Sequence, residues 1–181
     1  MRVKIKQGFN ESIQAHPLLD VYASLLARKE GGEQRGAAGA TIACRDSKYC
    51  LVGPGGEALC AAKYDLIFRE PYADYVNYIA MLNGKYGILN SSGQEVVPCV
   101  MDCIYERRDP DGFLPLLKGD MWGIYEGSRA YVYPKFDELI IQSEDYLRAR
   151  IGDRWGWVDI DGNLTDSLLD AYYGSWYDFD K

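Results

Sequence analysis

One short phrase, an aromatic residue, a small one and then apolar ones, stands four times in the chain: Tyr49-Cys50-Leu51-Val52, Tyr86-Gly87-Ile88-Leu89, Trp122-Gly123-Ile124-Tyr125 and Trp155-Gly156-Trp157-Val158. The leading aromatic residues are 37, 36 and 33 residues apart. A period in this range marks a repeat architecture, because a unit of this size cannot bury its own apolar face and must stack on its neighbours. Fold class is therefore constrained by the repeat before any local preference is weighed.

Each copy is framed by turn residues in the same order. In the second copy Tyr78–Leu82 and Lys85–Leu89 read as strands joined by Asn83-Gly84, then Asn90-Ser91-Ser92-Gly93 turns the chain into Gln94–Val97. Asn-Gly between apolar runs is a strong hairpin signal, since both central residues of the favoured turn take positive φ. The other copies place Asp46-Ser47, Lys118-Gly119-Asp120 and Gly152-Asp153 at the first turn. At the second turn they place Gly53-Pro54-Gly55-Gly56, Glu126-Gly127-Ser128-Arg129 and Asp159-Ile160-Asp161-Gly162. With side chains alternating along a strand, Tyr86 and Ile88 share one face and Gly87 the other, and likewise around Gly123, Gly156 and Cys50. The ring face is expected to pack a stacked core, and the small residue to let a neighbouring backbone come close.

These residues resemble the bacterial WG repeat family, whose units carry an aromatic-glycine pair, a short apolar strand, an Asp/Asn-x-x-Gly turn, a proline and an aromatic-acidic pair. The later elements appear as Pro98 with Asp102-Cys103-Ile104, and as Pro134 with Phe136-Asp137-Glu138-Leu139. They recur without proline as Tyr64-Asp65-Leu66-Ile67 and Leu169-Asp170. The resemblance covers roughly residues 41–173 and is weakest in the first unit, where Cys50 replaces glycine and Ala61 the proline. It implies an all-β module with no shared catalytic residues.

The expected architecture is mainly β: an array of four stacked three-stranded WG-like units, Thr41 to Tyr173, stacked as an open meander in preference to a closed propeller. Residues 1–40 form an N-terminal part. In it Met1–Lys6 alternates as an edge strand, Pro17–Glu30 carries apolar residues at helical spacing, and Gly31–Ala40 reads as a linker. Residues 174–181 form an aromatic acidic tail, expected to fold over the exposed end of the fourth unit.

Chemistry is sparse. His16 is the single histidine, and the five cysteines, Cys44, Cys50, Cys60, Cys99 and Cys103, contain no Cys-x-x-Cys pair, so buried reduced thiols in a cytoplasmic protein are expected. Gly53–Gly56 lacks the Gly-Lys-Ser/Thr ending of a phosphate loop. Asp159–Asn163 opens like a calcium loop, but its glycine falls at the fourth position and no glutamate follows at the twelfth. Neither a cofactor, a metal nor a catalytic constellation is expected. The first ten residues hold no apolar run of signal-peptide length and no stretch approaches a membrane span.

What remains is charge. A net charge of −7 opposes nucleic acid and favours a basic protein partner. The charged connections between units and the aromatic tail are the expected contact surface: Glu70, Tyr72 and Asp74; Glu106, Asp109 and Asp111; Glu144 and Asp145; and Trp176, Tyr177 and Asp178. The function expected is a non-enzymatic binding module, in concrete form an immunity protein that neutralises a basic toxin or nuclease. The alternatives are an adaptor or regulatory subunit of a bacterial complex, and a small hydrolase using two carboxylates drawn from such residues as Glu106, Asp109, Asp111, Glu138, Glu144 and Asp145.

Overall fold

The structure is a computed structural model that describes residues 40–70, 77–105, 113–127, 130–141, 147–159 and 161–167. The expected N-terminal strand and helix and the aromatic tail lie outside these residues. The described chain is mainly β, in antiparallel sheets. It divides into two compact units, one ending at Ile104 and the other beginning at Tyr105.

In the first unit β1 (Thr41–Arg45) and β2 (Lys48–Val52) form a hairpin. A four-stranded sheet follows, in which β3 (Leu66–Arg69), β4 (Asn77–Leu82), β5 (Lys85–Asn90) and β6 (Glu95–Met101) lie side by side in chain order. The short β7 (Cys103–Ile104) ends the unit. In the second unit β8 (Leu114–Lys118), β9 (Met121–Glu126) and β10 (Ala130–Phe136) make one meander. The next sheet holds β11 (Glu138–Ile141), β12 (Leu147–Ile151), β13 (Arg154–Val158) and β14 (Leu164–Thr165) in order.

Four two-residue turns close the hairpins where the sequence places them, with φ of 50° and 63° at Asp46 and Ser47, 53° and 73° at Asn83 and Gly84, and 61° and 60° at Gly119 and Gly152. Positive φ at this point matches the turn to the twist of the flanking strands. Tyr49, Tyr86, Trp122 and Trp155 each occupy the second position of the strand leaving the turn. Their cross-strand partners are Cys44, Met81, Leu117 and Arg150.

The wider second turns are also alike. The N–H of Asn90 donates to Gln94 O at 3.0 Å and that of Gly93 back to Asn90 O at 2.9 Å; Asp159, Gly162 and Asn163 repeat the pair at 3.0 and 2.9 Å, and Gly53, Gly56 and Glu57 at 2.8 and 3.0 Å. The side chain of the first residue completes the loop in two of them. Asn90 Oδ1 accepts from Ser92 and Gln94, each at 3.0 Å, and Asp159 Oδ1 accepts from Asn163 at 2.7 Å. Asp and Asn are preferred at such turns for this reason.

The glycine after the aromatic ring has a specific partner. Between the pairs Tyr86↔Met101 and Ile88↔Val97 one residue of β5, Gly87, faces three of β6, Pro98, Cys99 and Val100. Between Trp122↔Phe136 and Ile124↔Val132, Gly123 likewise faces Tyr133, Pro134 and Lys135. A Cβ on Gly87 would stand 2.6 Å from Val97 O and 2.8 Å from Cys99 N, and one on Gly123 2.5 Å from Val132 O and 2.8 Å from Pro134 N. The small residue admits a bulge in the adjoining strand, and proline is tolerated there because a bulge frees its position from the ladder. Glycine and proline are thus two halves of one local feature.

Packing departs from the sequence expectation in one respect. The glycine face of a sheet, too, enters a core. In the first unit Leu51, with Ile42 and Tyr49 beside it, packs with Tyr78, Ala80 and Leu89, which share the Gly87 face of the next sheet. In the second unit Trp122, Ile124, Val132 and Phe136 pack with Leu147, Ala149 and Val158, on the Gly156 face of the sheet that follows. The ring face of one sheet meets the glycine face of its successor in both. Burial of the rings is correspondingly unequal: Trp122 is 7% exposed in its core, while Tyr86 and Trp155 are half-buried. Full burial of a side chain such as Phe136 stabilises by about 1.5–3 kcal/mol.

Candidate binding surface

The corner that leads into the next sheet carries the acidic residue of the aromatic-acidic pair. Tyr64 and Phe136 are fully buried, whereas Asp65 and Asp137 stand at the sheet end beside a hairpin turn. Asp65 Oδ2 accepts the N–H of Asn83 at 2.6 Å, and Asp137 Oδ2 that of Gly152 at 2.6 Å. Asp65 also pairs with Lys48, and Asp102 with Lys85; Arg154 reaches Asp166 at 3.0 Å. Arg150 holds Glu138 Oε1 at 2.7 Å and lies 3.8 Å from Asp137. The Lys48 hydrogen bond, joined by the Asn83 N–H, holds the Asp65 carboxyl below the usual carboxylate range. Lys48, Lys85, Arg150 and Arg154 at this end are thus spent on internal partners.

The carboxylates of the hairpin turns are not. Asp46, Asp120 and Asp153 are exposed and form no ion pair among the described residues. Three of the four hairpin turns thus project a negative charge that no described residue pairs.

At the opposite end of a sheet lie the wide turns and the charged connections. The connection between β3 and β4 leaves from the end that also carries the Asn90–Gly93 turn, since Arg69 pairs with Tyr78 and Asn77 with Asn90. The connection between β11 and β12 stands in the same relation to the Asp159–Gly162 turn. Of the expected contact residues, Glu70 is described and is only 2% exposed, its N–H donating to Asn77 O at 3.0 Å across the neck of the connection. It was expected on a solvated loop; it lies inside because it directly follows β3, whose Ile67 and Phe68 are core residues. Tyr72, Asp74, Glu106, Asp109, Asp111, Glu144, Asp145, Trp176, Tyr177 and Asp178 lie outside the described residues.

A polar network joins β6 to the segment before β3. Glu95 Oε1 accepts from Lys63 Nζ at 2.8 Å and from Tyr64 Oη at 2.7 Å. Burial, with the Glu95 carboxylate next to it, pushes the Tyr64 phenol far up. Cys60 and Cys99 lie close to the same charges. Burial raises the Cys60 thiol, and burial with Glu95 pushes Cys99 up to about 11. Neither is set up as a nucleophile, which needs a lowered thiol pKa. Cys44, in contrast to the expectation of burial, is exposed on β1.

Two exposed features were not picked out in the sequence. Tyr131 and Tyr133, the latter 46% exposed, point outward from β10 with ring centroids 6.5 Å apart, and Lys118 donates to the Tyr133 hydroxyl. The alternation Tyr131, Tyr133, Lys135 against Val132, Pro134, Phe136 carries this signal. Arg148 lies over Trp155 and Trp157 on the outer face of the last sheet, its Cζ 5.9 and 5.3 Å from the ring centroids. Among the described residues no group of three or more His, Cys, Asp or Glu side chains is placed to hold a metal ion, and no helix is long and apolar enough to cross a membrane. No protein-family model matches the chain, and no curated protein matches it.

Proposed function

We propose that the chain is an array of four WG-like β units serving as a non-enzymatic, cytoplasmic protein-binding module, and that its partner is a basic protein, in the concrete case a toxin or nuclease that it neutralises. The observation that carries this reading is the disposition of charge. Lys48, Lys63, Lys85, Arg150 and Arg154 are held in internal ion pairs, while the turn carboxylates Asp46, Asp120 and Asp153 are exposed and form no ion pair among the described residues. Three negative charges are therefore offered outward on two-residue turns of a chain whose net charge is −7. Complementary charge of this kind accelerates encounter and selects among partners more than it adds affinity.

The test is recovery of the tagged full chain from the cells that make it, with bound proteins identified and then reconstituted from purified components. A basic partner, bound less tightly as salt rises and weakened by the Asp120→Lys and Asp153→Lys substitutions together, supports the reading. A chain that stays alone at micromolar concentration, or a partner indifferent to both salt and charge reversal, overturns it.

A further inference from the structure

Arg148 and Arg150 sit two residues apart on one face of β12, and their surroundings differ sharply. Arg150 has its charge taken up by Glu138 at 2.7 Å and by Asp137, and it also donates to Gly152 O. Arg148 forms no hydrogen bond or ion pair among the described residues; its Nε is buried without a partner. What holds it is the pair of indoles, Trp155 and Trp157, adjacent on β13 and directed to the same side.

A cation left half-buried with an unsatisfied donor is costly unless something compensates. The two rings do so in part, through the attraction of a guanidinium to aromatic faces. The rings hold the guanidinium with its Nε buried and leave the two Nη groups, which are not among the buried unpartnered atoms, available as a fork that fits a carboxylate. The side chain is thereby fixed in advance of a ligand, which lowers the ordering cost of binding.

We propose that Trp155, Arg148 and Trp157 form a receptor for a single carboxylate of a partner polypeptide, an aspartate or glutamate flanked by an aromatic or apolar side chain. One guanidinium matches one negative charge, and the acidic field of the chain, −7 overall, disfavours a polyanion such as nucleic acid or a phosphate cluster. Trp155, half-buried beside the guanidinium, supplies the apolar contact for the flanking residue. This site takes the charge opposite to that attracted by the turn aspartates, so it stands independently of the reading above.

The test uses the full chain labelled with ¹⁵N and two capped dipeptides, acetyl-Phe-Asp-amide and acetyl-Phe-Asn-amide. The aspartyl peptide is expected to shift the Arg148 Nε–H and the Trp155 and Trp157 indole N–H resonances in a saturable way, leaving Trp122 unmoved. The asparaginyl peptide should bind about tenfold more weakly, the factor that loss of roughly one charge-assisted hydrogen bond brings. Arg148→Gln should abolish the response, and Arg148→Lys, which keeps the charge and loses the fork, should leave only part of it. Equal shifts with both peptides, no shift, or a response that survives Arg148→Gln overturns the proposal. So does an Arg148 Nε–H already engaged by the chain's own tail, seen as a resonance that moves in the Asp178→Asn, Asp180→Asn variant without any peptide.

Discussion

The carboxylate of Asp65 accepts the backbone N–H of Asn83 at 2.6 Å, across 18 residues of chain, and so fixes the turn of one hairpin to the corner that precedes its sheet. Asp137 does the same for Gly152. In both places the acidic residue follows a fully buried ring, Tyr64 or Phe136, which anchors the corner while the carboxylate caps the turn. The same Asp65 also binds Lys48 of the preceding hairpin, so a single side chain couples successive elements of the first unit.

This coupling makes stability depend on pH in a defined direction. The Lys48 hydrogen bond, then the Asn83 N–H, depress the folded-state pKa of Asp65, so its contribution is present above the unfolded carboxyl pKa and is lost as pH falls through the lowered value. Asp65→Asn should lower the urea midpoint near neutrality and flatten its decline between about pH 5 and pH 2 relative to the parent chain. Parallel curves for the two proteins would show that the ionised Asp65 contributes nothing to folding.

The bulges opposite Gly87 and Gly123 distinguish two uses of glycine. Gly119 needs its φ of 61° but has open space where a Cβ would go, whereas Gly123 would press a Cβ to 2.5 Å from Val132 O. Gly119→Ala should cost about 1–2 kcal/mol from backbone strain alone. Gly123→Ala should reach the upper part of the roughly 1–3 kcal/mol range of overpacking, because the atoms it meets are backbone and cannot rotate away. Urea unfolding of the two variants decides the order; equal losses would mean that β10 yields at the bulge.

Much of this was legible from residue order alone. Asn83-Gly84 and the other two-residue turns, the wide turns at Asn90 and Asp159, and the equivalent positions of Tyr49, Tyr86, Trp122 and Trp155 all express local backbone preferences or the period of two. Which sheet face is covered is not local. Alternation places Gly87 and Ala80 on one side and Tyr86 on the other, but only packing shows that the glycine side, too, enters a core. Pro98 and Pro134 read as breaks in a strand, and the bulge that accommodates them depends on a glycine in a different strand. Glu70 is buried and Cys44 exposed, the reverse of what their sequence positions suggest, because burial at a strand end is decided by neighbours remote in sequence. The Arg148 site needs a cross-strand register that no spacing reveals.

Tyr64 and Glu95 form a pair whose value is best measured by a double-mutant cycle. The buried phenol donates to Glu95 at 2.7 Å, and Lys63, on the more exposed side of the carboxylate, adds a bond of 2.8 Å. Removing the acceptor by Glu95→Ala strands the hydroxyl and should cost about 1–3 kcal/mol, whereas Tyr64→Phe removes only the donor, leaves Glu95 its bond from Lys63 and should cost about 1 kcal/mol. The double variant should be more stable than the sum of the two losses implies, with coupling above about 0.5 kcal/mol. Lys63→Met should change little, as exposed ion pairs do. Strict additivity in thermal or chemical unfolding would mean that the hydrogen bond does not stabilise the fold.

The cysteines should separate by environment under a thiol-exchange reagent. Cys44 is exposed on the first hairpin, while Cys50 is fully buried. Burial raises Cys60, and burial together with Glu95 takes Cys99 up to about 11, so near pH 8 only on the order of one Cys99 side chain in a thousand is a thiolate. Native protein should therefore show a fast reaction from Cys44, abolished by Cys44→Ser, and Cys50, Cys60 and Cys99 should follow only when denaturant opens the first unit. The rates of the slow thiols should then track unfolding of that unit, giving a probe of its stability separate from the second. A fast phase that persists in Cys44→Ser and maps to Cys60 or Cys99 would show that the segment carrying Lys63 and Tyr64 opens locally without unfolding the sheet behind it.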